Sequence, residues 1–140
     1  MRLVPVAAEA LSDGGYPEKP IMMTLIPEAL DAYLAEDDGQ PIVMLNLLRF
    51  RPDGGRERYQ EYLALAGPII ARVGAEISFA GDGLPPLCAE AGQAWDAVVL
   101  VRYPNRKAFV ALAQDPDYAT ADPVRKDALI EAVLQPITPV

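Results

Sequence analysis

Two stretches constrain the fold more than anything else in the chain: "PIVMLNLLRF", residues 41–50, and "WDAVVLVRY", residues 95–103. Both are short, aliphatic and bounded by turn residues, so they read as β-strands. Strand side chains alternate between two faces, and here both alternating sets are apolar. In the second stretch Trp95, Ala97, Val99, Val101 and Tyr103 share one face, with Val98 and Leu100 on the other. Such strands must be covered on both sides. The first stretch carries one discordant letter, Asn46, at its centre, and Arg49 near its end. A buried amide costs free energy unless something bonds to it, so the fold or a ligand has to answer it.

The remaining elements fall around these strands. "IPEALDAYLAEDDGQP" reads as a short helix with Pro27 in its first turn, Leu30, Tyr33 and Leu34 on one face, and Gly39 just past its end. After the "RPDGG" turn, Tyr59, Tyr62, Leu63, Ala66, Ile69, Ile70 and Val73 recur at helical spacing. A kink is expected at Gly67-Pro68 and a stop at Gly74. "AEISFAG" reads as a strand, and "DGLPPLCAEAGQ" as a loop with a short strand piece near Leu87 to Ala89. "PNRKAFVALAQ" is a helix capped by Asn105. "DPDYATADPVRKDALIEA" is a turn followed by a helix with Asp122 as N-cap and Pro123 at its first position. "VLQPITPV" closes as a fourth strand, which Pro136 and Pro139 place at an edge.

The order is therefore β-α-β-β-α-β, a ferredoxin-like α+β arrangement with one added helix at the N-terminus and one short helix before the last strand. Residues 1–20, ending in "SDGGYPEKP", read as an arm, and residues 21–140 as a single domain. Helices on one face of a four-stranded sheet leave the other face bare. A second copy of the chain, sheet against sheet about a two-fold axis, is the simplest cover.

Composition narrows the function. Twelve Lys and Arg against 20 Asp and Glu give a net charge of -8, which opposes nucleic acid and anionic membrane surfaces. No run approaches the roughly 18 apolar residues of a membrane span. The single cysteine, Cys88, fits a reducing compartment, so a cytoplasmic protein is expected. Histidine is absent. That excludes hydrolases with a His base and haem on a proximal His; with one Cys, a zinc or iron site would have to be almost all carboxylate, and no paired spacing proposes one. The expectation is of no metal and no cofactor.

"PIVMLNLLRFR", "RYQEYLALAGPIIARVGAEISFAG" and "WDAVVLVRYPNRKAFVALAQDPDYATADPVRKDAL" together resemble the bacterial family known as domain of unknown function 1330, in the dimeric α+β barrel superfamily. The most specific parts are "MLNLLRF", the Tyr103-Pro104 junction, and the segment holding Tyr118 and Arg125. The resemblance implies the ferredoxin-like fold and a homodimer. Related families in that superfamily include cofactor-independent monooxygenases, small-lactone isomerases and haem enzymes.

Seven residues are candidates for ligand binding: Asn46, Arg49, Tyr62, Trp95, Tyr103, Tyr118 and Arg125. Asn46 either orients a ligand between sheet and helices or bonds neighbouring backbone. Arg49, with Arg51, Arg56 and Arg58, forms either a lip for a carboxylate or a solvated strand end pairing with Asp53 and Glu57. Tyr118 and Arg125 are either donor and charge clamp at a pocket mouth, or a tie to the turn through Asp115 or Asp117. Trp95, Tyr103, Tyr59 and Tyr62 either line an aromatic pocket or fill the core. No catalytic residue is assigned. The leading functional reading is a small-molecule binding protein or enzyme; the other is a dimeric module that senses a ligand or only scaffolds.

Overall fold

The computed structural model describes residues 25–140. The expected arm, residues 1–20, and the start of the domain at 21 lie outside the described residues. Elements run α1 (Pro27–Ala35), β1 (Ile42–Phe50), α2 (Gly55–Arg72), β2 (Glu76–Asp82), β3 (Ala97–Tyr103), α3 (Arg106–Ala113), α4 (Tyr118–Ala128) and β4 (Leu129–Ile137). The sheet is antiparallel with order β2-β3-β1-β4. This is the ferredoxin-like split unit with the two added helices, and β4 is an edge strand.

β1 sits between β3 and β4, and its register sorts every side chain to a face. Asn46 lies opposite Val99 on β3 and Leu134 on β4. Ile42, Met44 and Leu48 share that face with Asn46 and are buried under the helices. Ala97, Val99, Val101 and Tyr103 of β3 join them. From the helix layer come Tyr59, Tyr62, Ala66, Ile69 and Ile70 of α2 and Phe109 and Leu112 of α3. The 3-4 spacing read from the sequence is the buried stripe of α2.

The opposite face carries Val43, Leu45 and Leu47 of β1, paired with Arg102, Leu100 and Val98 of β3 and with Ile137, Gln135 and Val133 of β4. Phe79 of β2 pairs with Leu100 beyond a register shift and is 56% exposed. No helix of the described chain covers this face.

Local signals explain the helix ends. α2 runs unbroken across Pro68 to Arg72, and Gly74, at φ +81°, closes it. The Gly74 N–H donates to Ala71 O and the Ala75 N–H to Ile70 O, the paired bonds of a Schellman cap. Asn105 caps α3 by accepting from the Ala108 N–H at 2.9 Å. Two expectations need correction. α4 begins at Tyr118, not beyond Asp122, and Pro123 lies inside it. Its start is fixed by the preceding turn, where the Tyr118 N–H donates to Asp115 O and the Thr120 N–H to Asp117 O. A proline that near the first turn forfeits a single backbone bond, to the Ala119 carbonyl. The segment around Leu87 to Ala89 is irregular loop, not strand; its side chains point into solvent and find no strand to pair with.

α4 passes into β4 with no intervening residue. The Ala128 carbonyl accepts from the Arg51 N–H at 3.0 Å, and a Cβ built on Gly55 would stand 2.5 Å from the same oxygen. Gly55 is therefore required for α2 to start against this junction.

Candidate functional site

The helix layer does not fill the space above the centre of the sheet. A cavity of about 370 Å³ remains between β1 and β3 below and α2, α3 and α4 above. Asn46 is in its floor. The Asn46 Nδ2 donates to Val99 O at 3.2 Å and to Met44 O at 3.3 Å, so both its donor hydrogens serve the strands. Its amide oxygen has no protein partner among the described residues.

Four phenols surround the amide: Tyr59 and Tyr62 from α2, Tyr103 from the end of β3 and Tyr118 from α4. Tyr62 and Tyr118 share a hydroxyl-hydroxyl hydrogen bond of 2.8 Å. Their rings meet edge to face at 6.2 Å, and the Tyr59 ring packs on Tyr62 at 5.2 Å, tilted by 49°. Ring contacts of this kind add to area burial and hold each ring in one orientation. Tyr118 and Arg125 are seven residues apart, two turns of one helix, and so lie on a common face. Arg125 therefore reaches the same cavity and interacts with Tyr118. It also pairs with Asp122 at 3.1 Å, and Lys126 pairs with Asp122 at 3.0 Å.

Burial pushes the hydroxyls of Tyr59, Tyr62 and Tyr103 far above the ordinary phenol range. It raises Tyr118 as well, although Arg125 and the bond from Tyr62 pull the other way. All four are protonated near neutral pH and act as hydrogen-bond donors, not as phenolate bases. Burial disfavours the Arg125 charge, but the adjacent Asp122 carboxylate favours it, and the guanidinium stays protonated. The charged side chains on the cavity wall are Arg125, Lys126 and Asp122, two cations and one anion, a surplus of one positive charge in a chain of net charge -8. Fixed donors and a desolvated cation suit an anionic or carbonyl oxygen. Among the described residues no three His, Cys, Asp or Glu side chains converge as a metal site would need.

A second hollow of about 310 Å³ lies beside the first, under α1, and is walled by Leu25, Ile26, Ala29 and Leu30 with Met44, Ala132 and Pro136 from the sheet. Leu25, Phe109, Arg125 and Leu134 line both. α1 is held through Tyr33, whose ring packs edge to face on Phe109 at 6.2 Å and lies under the Arg106 guanidinium at 4.7 Å. The Tyr33 hydroxyl is buried with no hydrogen-bond partner among the described residues.

Of the seven candidates, Asn46, Tyr62, Tyr103, Tyr118 and Arg125 come together in the first cavity. Arg49 and Trp95 do not. Arg49 is on the other face of β1, where it binds Glu131 at 2.7 Å and the carbonyls of Gly92 and Ala94, with its guanidinium 4.5 Å from the Trp95 ring. Trp95 falls outside because β3 pairs only from Ala97; Asp96 instead ties the loop to β1, accepting from the Phe50 N–H. Of the two readings of the arginines, the paired one fits Arg56, which pairs with Asp82, and Arg58, which pairs with Glu61 and Asp127, although the acids are not Asp53 or Glu57. The tie to Asp115 and Asp117 is made by Arg72, not Arg125. Sequence reasoning missed Asp122 and Lys126 as wall residues because it ended the turn at Asp122. Extending the helix back to Tyr118 is the step that would have found them.

Comparison with known proteins agrees with this architecture. A protein of unknown function from Rhodopseudomonas palustris is 30% identical, with a TM-score of 0.78 over 84% of this chain and 96% of that one. A dimeric protein of unknown function and ferredoxin-like fold from Bacteroides fragilis is 13% identical, with a TM-score of 0.51 over 69% and 94%. A dimeric ferredoxin-like protein of unknown function from Jannaschia sp. is 13% identical, with a TM-score of 0.54 over 71% and 99%. Among curated proteins none matches. The family model for the domain of unknown function DUF1330 matches residues 54–135, which takes in α2, β2, β3, α3, α4 and all but the end of β4, and the chain belongs to that family.

Proposed function

We propose that this protein is a homodimer that binds a small organic acid in the cavity between the sheet and α2, α3 and α4. The observation that carries the reading is the convergence of Tyr62, Tyr118 and Arg125 on one apolar cavity of about 370 Å³. Small-molecule sites are typically concave and apolar with a few convergent polar groups. A donor set with no cavity phenol in its basic form suits stabilisation of an oxyanion or enolate, as in isomerisation or cofactor-free oxygenation of an activated substrate. The sheet-to-sheet dimer is supported by the aliphatic face of β1, β3 and β4, which would otherwise be an exposed apolar patch. The lone thiol of Cys88, exposed in the loop after β2, fits a cytoplasmic setting.

A thermal-shift screen of aromatic and keto acids tests the binding reading. A ligand at 100 times its Kd should stabilise the native state by about 2.7 kcal/mol. At the same ligand concentration Arg125→Met should lose about half of that stabilisation or more. A screen in which no acid raises the melting temperature, or in which Arg125→Met responds as the wild type does, would overturn the reading. Light scattering that gives a monomer at micromolar concentration would overturn the dimer.

A further inference from the structure

The hollow under α1 has no role in that proposal. Among the described residues its wall holds Arg125 as the sole charged side chain, and the rest is apolar apart from the Tyr33 hydroxyl. α1 has no buried residue of its own. Leu25, Ile26 and Leu134 border the hollow with 39%, 51% and 41% of their surface exposed, an apolar patch beside a cavity and not scattered single residues. Leu134 is the cross-strand neighbour of Asn46, so the patch starts where the first cavity's polar floor ends. Arg125 stands on the wall common to both spaces.

We infer that the ligand is amphipathic: its carboxylate is held at Arg125 and Tyr118, and an unbranched alkyl tail occupies the hollow beneath α1. The inference rests on the proposed acid-binding reading and adds a substrate class to it. Charge selects the head, because Arg125 is the one charged residue among those described that lines both spaces. Area selects the tail, because each methylene taken from water into an apolar site contributes about 0.8 kcal/mol, close to fourfold in affinity. α1 is then the element that sets chain length.

Calorimetric titration of the full-length dimer with straight-chain acids from butanoate to decanoate, below their micellar concentrations, tests this. Affinity should rise by up to about fourfold per methylene and then level off once the hollow is full. Ala29→Trp, which puts an indole into the hollow from an exposed helix position, should flatten the dependence on chain length. Leu30→Phe, a smaller intrusion, should make it level off at a shorter chain. Arg125→Met should instead weaken every acid by a similar factor, tenfold or more, and leave the slope in place. If acids bind with no dependence on chain length, or with the same slope in Ala29→Trp as in the wild type, the tail assignment is overturned while acid binding stands. If no acid of any length binds, the acid-binding reading falls and takes this inference with it.

Discussion

The two faces of β1 are built from one nonapeptide, yet they are different surfaces. The helix-side set, Ile42, Met44, Asn46 and Leu48, is interrupted by an amide and roofed by helices that leave a hollow. The other set, Val43, Leu45, Leu47 and Arg49, is aliphatic in the middle, charged at one end and covered by no helix of the described residues. A polar residue in a strand is tolerated where the fold supplies carbonyls and space. An aliphatic row with no such cover supports the proposed partner. Side-chain parity alone assigns the proposed ligand to one face and the proposed partner to the other.

The largest effect should come from attacking the uncovered face. Leu45→Glu, at the centre of that face, would place two like charges across a two-fold interface, and leaving a charge buried without a counterion costs several kcal/mol. Sedimentation should show association weakened in favour of monomer by two orders of magnitude or more in Kd, with the cavity residues still in place. On the roofed face, Leu48→Ala removes a side chain that is 1% exposed and should cost about 2–5 kcal/mol of unfolding free energy in urea, with no dissociation preceding the unfolding transition.

The tyrosines predict a pH limit for the roofed face. Their folded pKa values are raised above the unfolded value of 10.0, so the folded state holds these protons more tightly than the unfolded one. The stability this contributes is complete below about pH 10 and falls as pH rises beyond it. Phenolate absorbance should therefore lag behind that of free tyrosine and then appear together with loss of the near-ultraviolet dichroism. Titration of all six tyrosines at the free-phenol pH with the fold intact would contradict the packing of the cavity wall.

Smaller effects sharpen the division. Asn46→Leu removes donors from the Val99 and Met44 carbonyls while adding apolar contact, so stability should change by about 1 kcal/mol or less; binding of the acid should weaken and the dimer should persist. Arg49→Met removes the bond to a partly exposed Glu131 and should cost about 1 kcal/mol with acid affinity intact. If Asn46→Leu disturbs the dimer, or Arg49→Met the binding, the two faces are not separate surfaces.

Much of the fold was legible because the two doubly apolar strands and the 3-4 stripe of α2 are strong local patterns, and the Asn105 cap and the Gly74 stop are written in single residues. Half-buried Asn46 was legible as a problem but not as a position, since parity says which residues share a face and not which face meets the helices. Tyr118 and Arg125 were legible as residues and not as a pair. Pro123 looked like the start of a helix, whereas the backbone bonds to Asp115 and Asp117 that start it earlier belong to a turn with little local signature. Trp95 shared the parity of Ala97 on paper, but parity holds only while a strand is paired, and pairing starts two residues later.

The junction of α4 and β4 also bears on where this chain can change length. With Arg51 bonded to the Ala128 carbonyl and Gly55 pressed against it, one residue inserted between Ala128 and Leu129 would rotate Arg125 off the cavity or shift every cross-strand pair of β4 by one, exchanging its two faces. Residues 84–89 of the loop between β2 and β3, where Leu84 and Leu87 stand in solvent, lie between its anchored ends at Gly83 and at Gly92 to Asp96 and carry no such constraint. Tags, permuted termini and natural length variation should gather there, and the helix-to-strand joint should keep a constant count of residues.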